Sequence, residues 1–202
     1  MIRDDISNRL VHLAKGASEE EAGRNFLSIV NSRVLRGGTG FIRGAFRCVC
    51  FSEAPIAKLA HILAEPAIHG MPYAPLGVMI DKTTLFEGGG RPVIYQSDAE
   101  YGLLHEGQKF RHKRYEPGSG IDFAWEREWR VLIDELPLDP ALVTLVVPNR
   151  AWSDYIFKEH ADRLRGIAVV MENMAAAVIN ECPWHFIVLE DMGIKVKFSF
   201  FP

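Results

Sequence analysis

Short apolar, β-rich runs recur at irregular intervals after residue 45, and they restrict the fold of this chain more than any other feature. Residues 47–51 (Arg-Cys-Val-Cys-Phe), 76–80, 93–95 and 142–147 each read as a strand. No regular strand–helix–strand rhythm separates them. That pattern predicts an α+β fold, a largely antiparallel sheet core flanked by helices, rather than a doubly wound parallel sheet. The 202 residues suit one domain, taken as 1–202, with enough chain to bury its own core.

The helices are marked by their ends. Ser18-Glu19-Glu20-Glu21 reads as a capping box that starts a helix. Ala22, Phe26, Ile29 and Val30 give that helix one apolar face, and Gly37-Gly38 stops it. Ile6, Leu10 and Leu13 recur at helical spacing and predict a short first helix, or a helix running into a strand. Ser52-Glu53-Ala54-Pro55 predicts a second capped helix, with Ser52 as its cap, ended by Pro66 and Gly70-Met71-Pro72. Residues 87–92 read as a flexible loop and 151–164 as a helix. Residues 167–178 fit strand then helix, or helix throughout. Residues 186–190 and 195–200 read as a terminal hairpin, because Val196, Phe198 and Phe200 alternate with polar neighbours.

Charge and cysteine content exclude several classes. A net charge of -3 sets up no global field for nucleic acid or anionic membrane. Three cysteines, Cys48, Cys50 and Cys182, are too few and too scattered for a disulfide scaffold or a structural zinc site. There is no signal-peptide pattern and no run of membrane-spanning length. The expectation is a soluble cytoplasmic protein with no metal. One local basic stretch stands out. Lys109, Arg111, Lys113 and Arg114 interleave with Phe110, His112 and Tyr115, a pattern that suits phosphate contact and base stacking, or equally a solvated loop.

Glu126-Arg127-Glu128 is the most informative triplet. On a strand the two carboxylates share one face, about 6.5–7 Å apart along the backbone. Trp125, Arg127 and Trp129 then face the other way. Such a pair suits general acid–base work, stabilisation of an oxocarbenium ion, or metal binding; it is also what the solvated face of an edge strand looks like. Arg43, in a glycine-flanked loop, has the planar fork that grips a pyrophosphate.

The order of these residues resembles a family. Glu-x-Glu at the start of a strand, preceded by a glycine-containing loop at residues 117–123, is similar to the acidic motif of the ADP-ribosyltransferases. His12, just before the capped helix, is similar to the first-strand histidine of the DarT-type nucleic-acid ADP-ribosyltransferases. Val49-Cys50-Phe51-Ser52 resembles their second strand, and Tyr73 to Val78 a following one. From His12 to about Trp152 the chain also resembles bacterial AbiGi-type abortive phage resistance proteins.

The resemblance implies an ADP-ribosyltransferase-like fold with NAD as substrate, and a toxin or phage-defence role. It puts transition-state stabilisation on Glu128, acceptor selection on Glu126, and ribose positioning on His12. NAD binding would involve His12, Ser52, Arg43 and Tyr73. The acceptor would be nucleic acid, met by Lys109, Arg111, Lys113 and Arg114, or a protein side chain, and an antitoxin or other protein is an expected partner. Two other readings stand beside it: a non-catalytic antitoxin-like or partner-binding module of the same fold, and a metal-dependent nuclease using Glu126, Glu128 and a further acid.

Overall fold

The computed structural model describes residues 5–40, 42–64, 73–170 and 182–202. In chain order the elements are β1 (Arg9–Lys15), α1 (Glu19–Ser32), β2 (Val34–Arg36), β3 (Cys48–Ser52), α2 (Ile56–Ala64), β4 (Tyr73–Asp81), α3 (Lys82–Glu87), β5 (Arg91–Pro92), β6 (Ile94–Gln96), β7 (His112–Arg114), β8 (Glu128–Leu132), β9 (Glu135–Pro137), β10 (Val143–Val147), α4 (Arg150–Val170) and β11 (His185–Val188). Seven strands form one mixed sheet in the order β11-β10-β4-β1-β3-β8-β5. All its pairings are antiparallel except β10 with β11. Two small ribbons, β2–β9 antiparallel and β6–β7 parallel, lie outside it. The expected α+β fold with a largely antiparallel sheet is therefore present.

The sheet is covered on both faces. On one, Ala22, Phe26 and Val30 of α1 and Trp152 and Ile156 of α4 pack on Leu10, Val49, Phe51, Leu76, Val78, Trp129 and Val131. On the other, Leu59 and Leu63 of α2 join Val11, Leu13, Met79, Val146 and Leu189. This double coverage explains why Leu10 and Leu13 lie on a strand, with no helix before it among the described residues, where their spacing predicts a short helix or a helix running into a strand. Leu10, Val11, Leu13 and Ala14, on both sides of His12, are all buried, so β1 shows apolar pairs instead of an alternation, and its spacing mimics a helix.

The Ser18 cap before α1 forms as predicted, with Glu21 reaching back one residue past Ser18 instead of closing a full capping box. Ser18 Oγ accepts from the Glu21 amide at 3.1 Å, and Glu21 accepts from the Ala17 amide at 2.7 Å. The helix ends earlier than Gly37-Gly38, at Ser32. Arg33 takes a left-handed conformation (φ 54°), and the chain leaves directly into β2. Residues 87–92 are not a flexible loop: α3 ends at Glu87 and a tight turn leads into β5, which pairs with β8. The 151–164 helix is present and extends from Arg150 to Val170. Pro66, Gly70-Met71-Pro72 and residues 171–178 of the ambiguous 167–178 segment lie outside the described residues.

The terminal hairpin does not form. β11 pairs parallel to β10, and residues 195–200 form no strand with the described residues. Their alternation has another cause. Phe198 and Phe200 lie against Trp152, with ring centroids 6.2 and 6.1 Å away. Glu19, in the first turn of α1, accepts from the Ser199 amide at 2.7 Å and the Phe200 amide at 3.3 Å. Gly23 makes room for this tail, since a Cβ there would lie 2.3 Å from the Phe200 ring. Gly23→Leu is expected to expel Phe200 and free the tail. Hydrogen exchange would show the Ser199 and Phe200 amides losing protection while the β1 and β3 amides keep theirs.

Candidate functional site

Glu126 and Glu128 do come together, but not as two residues of one strand. Residues 124–126 form a single 3-10 turn, and Arg127 adopts a left-handed conformation (φ 44°) before β8 begins at Glu128. A non-glycine residue there is strained. Arg127 is held by an ion pair to Asp5 at 2.6 Å and by its carbonyl, which accepts from the Glu53 amide at 3.1 Å. Ser52 fastens the turn to β3: its hydroxyl donates to the Glu126 carbonyl at 2.6 Å and accepts from the Ala54 amide at 3.1 Å. Ser52 is therefore a clasp on the Glu126 turn at the end of β3, not the cap of α2, whose helical span starts only at Ile56.

Lys113 of β7 joins the two carboxylates. Its ammonium lies 3.1 Å from Glu126 Oε2 and 2.9 Å from Glu128 Oε2, and 5.0 Å from the centre of the Phe123 ring. Glu126 also accepts from the Tyr73 hydroxyl at 2.9 Å, and the Lys15 ammonium stands 4.6 Å over the Tyr73 ring. The Glu128 amide donates to the Tyr95 hydroxyl at 3.2 Å. Behind Glu128, Arg130 donates from Nε to Glu128 Oε1 at 2.7 Å and from Nη1 to the Phe110 and His112 carbonyls, each at 2.8 Å. Arg130 is 1 % exposed and Glu128 8 %.

The pleat settles which predicted residues meet. Val11, Ser52 and Glu128 are successive Cα partners across β1, β3 and β8, and Phe51 partners Trp129. Side chains alternate between faces. His12, one residue beyond Val11, touches the Phe51 ring edge-on at 5.8 Å, so it lies on the Phe51–Trp129 face and Glu128 on the opposite one. The structure brings Glu126, Glu128, Ser52 and Tyr73 together and does not bring His12 to them. Arg43 is also engaged elsewhere. It donates to the Asp98 carbonyl at 2.8 Å, pairs with the Asp98 carboxylate at 3.2 Å, and stacks over Tyr101. The basic stretch is internally satisfied. Lys109 pairs with Glu106, Arg111 donates to the Pro92 carbonyl and Gln108, Arg114 pairs with Glu116, and Lys113 takes the two glutamates. It is not an open loop either: 106–111 is a 3-10 helix and 112–114 is β7.

Burial and charge give the site a definite ionisation. Burial alone pushes the Glu128 carboxyl up, but the hydrogen bond and charge of Arg130, followed by Lys113, outweigh it and hold the carboxyl at about 2. Burial raises the Cys50 thiol to about 12 and the Cys48 thiol to about 11, so both stay protonated. On the other face, burial lowers His12 to about 4, against a hydrogen bond to the Cys50 carbonyl at 2.8 Å that raises it. The imidazole is neutral at pH 7, with Nδ1–H donating to that carbonyl.

These shifts predict a two-stage loss of stability in acid. His12 titrates lower in the fold than its ordinary 6.5, so its contribution is complete above 6.5 and is lost as pH falls from 6.5 through 4. Glu128 is depressed below its ordinary 4.5, so its contribution is complete above 4.5 and is lost between 4.5 and 2. Urea unfolding across pH would show both limbs, and His12→Gln would remove only the upper one.

Arg130, Lys15 and Tyr95 were not anticipated as parts of the site. A signal existed for Arg130, since a residue two along a strand from Glu128 shares its face; none existed for the other two. Among the described residues, no three His, Cys, Asp or Glu side chains gather in a way that could hold a metal ion, and no helix is long and apolar enough to cross a membrane. Compared with protein-family models, curated proteins and solved structures, the chain matches none.

Proposed function

We propose that this chain transfers ADP-ribose from NAD, with Glu128 as the carboxylate that stabilises the transition state, on an ADP-ribosyltransferase-like fold. The observation that carries this reading is a carboxylate kept anionic by Arg130 in a largely buried position, at the first residue of β8, a strand paired on both sides. When the bond from ribose C1′ to the nicotinamide nitrogen breaks, the ring leaves neutral and C1′ takes up positive charge. A buried anion beside it offsets that charge more strongly than one in water. A protonated carboxyl could not. Ser52, Tyr73 and Tyr95 supply hydroxyls around the pair for ribose contact. Glu126, carried on the adjoining turn, is placed to accept the proton of the attacking acceptor. The adjacency of the His12, Ser52 and Glu128 strands in the sheet also supports the reading, although His12 then acts from the far face, holding β3 through Cys50.

A second reading has its own observation. The Glu128–Arg130 pair pins the strand to two backbone carbonyls, as a structural ion pair would in a non-catalytic partner-binding module. The nuclease reading has no comparable support. Acceptor labelling tests the first: NAD carrying label in its adenylate phosphate is incubated with the protein and RNA, DNA or bacterial lysate. Label moving to nucleic acid or to protein names the acceptor class and the defence target. No label in any fraction would count against transfer.

A further inference from the structure

Two cations meet the carboxylates of the site, and they are held very differently. Arg130 is 1 % exposed and spreads its donors over Glu128 and two backbone carbonyls, so its displacement would leave three buried acceptors short of a donor. Lys113 sits on a three-residue strand in a two-stranded ribbon, with 16 % of its side chain exposed. Its ammonium meets Glu126, Glu128 and the face of Phe123, and no backbone carbonyl is among the contacts seen. Glu128 Oε2 is buried and has this ion pair but no aligned hydrogen-bond donor. Arg130 answers one Glu128 oxygen, which leaves Glu126 and the second Glu128 oxygen sharing one ammonium. Two carboxylates so close to a common point, one of them buried, need a cation between them. They do not need it to be Lys113.

We propose that Lys113 is a displaceable counter-ion, and that the place it fills between Glu126 and Glu128 is a subsite for a flat aromatic cation of the pyridinium type. The proposal deepens the NAD reading and rests on it for the identity of the natural ligand. A cation entering there inherits both carboxylates and the Phe123 face, and a planar ring stacks on that face better than an ammonium. The oxidised nicotinamide ring is such a cation. The reduced ring is neutral and cannot replace Lys113 without leaving the carboxylates unpaired. The site would therefore select the oxidised dinucleotide at binding, before any bond is broken.

N-methylnicotinamide, a pyridinium cation without ribose, is the probe, and neutral nicotinamide is the control. In the wild-type protein, the rate at which an amine-acylating reagent modifies Lys113, read by peptide mass spectrometry, should rise about fivefold or more when N-methylnicotinamide saturates the site, and should not change with nicotinamide. In Lys113→Met, N-methylnicotinamide should bind about tenfold more tightly than to wild type, with no such gain for nicotinamide. Unchanged Lys113 labelling in the wild-type protein would overturn the proposal even if Lys113→Met fails to fold, and so would equal affinities of the cation for the two proteins. Displacement of Lys113 by the cation in a protein that never consumes NAD would leave the subsite standing and remove the transferase reading.

Discussion

Arg130→Met is expected to cost about 3–5 kcal/mol of folding stability, the usual effect of removing one partner of a buried ion pair. Against a typical domain stability of about 5–15 kcal/mol, that is a large share of the total. Two losses combine. Glu128 keeps its charge in a buried position with only Lys113 to answer it, and the Phe110 and His112 carbonyls lose their donor. Phe110 lies just before β7 and His112 is its first residue, so Lys113 should lose its placement as well. Guanidinium unfolding, with the midpoint and slope read together, measures the cost. Adding Glu128→Met to Arg130→Met should recover part of it, because the uncompensated charge goes, but not all, because the carbonyls stay unpaired. A cost below about 1 kcal/mol would mean that Arg130 does not hold the site together.

The second large effect separates the two glutamates. Glu128→Gln keeps an oxygen for Arg130 but removes the charge, and nicotinamide release from NAD should fall about 10²–10³-fold. Glu126→Gln should leave nicotinamide release within about tenfold of wild type while lowering transfer to acceptor about 10²-fold, as expected when a general base is lost. The ratio of the two rates is the informative quantity, since a variant that merely loosened the turn would lower both together. Gln at 128 also leaves Arg130 and Lys113 without a full counter-charge. Each variant therefore needs an unfolding curve showing that it is native at the assay temperature.

Much of this site was legible in the sequence, and what escaped did so for physical reasons. The runs around Val49–Phe51 and Trp129–Val131 announce β3 and β8 because their inward residues pack under α1 and α4. β1 reads ambiguously, as a helix or a helix running into a strand, because a strand buried on both faces has no alternation to show. Glu126-Arg127-Glu128 fits a strand as a sequence because nothing in it advertises a left-handed Arg127, whose partner Asp5 is 122 residues away. The pairs Lys109–Glu106 and Arg114–Glu116 lie close enough in sequence to have been suspected. The pairing of Lys113 with Glu126 and Glu128 depends on where the turn folds back, and no spacing rule carries that. His12 shows the limit of motif order, because residue order does not report which face of the sheet a side chain takes. The register does, and it sets His12 against Phe51.

The most direct test of the transferase reading is nicotinamide release from NAD by purified wild-type protein, assayed beside Glu128→Gln protein shown to be folded. Release by the wild type that collapses in the variant is the predicted result. A folded wild-type protein that neither binds NAD nor releases nicotinamide, alone or with RNA, DNA and lysate, would contradict it and leave the Glu128–Arg130 pair as the structural pin of a partner-binding module.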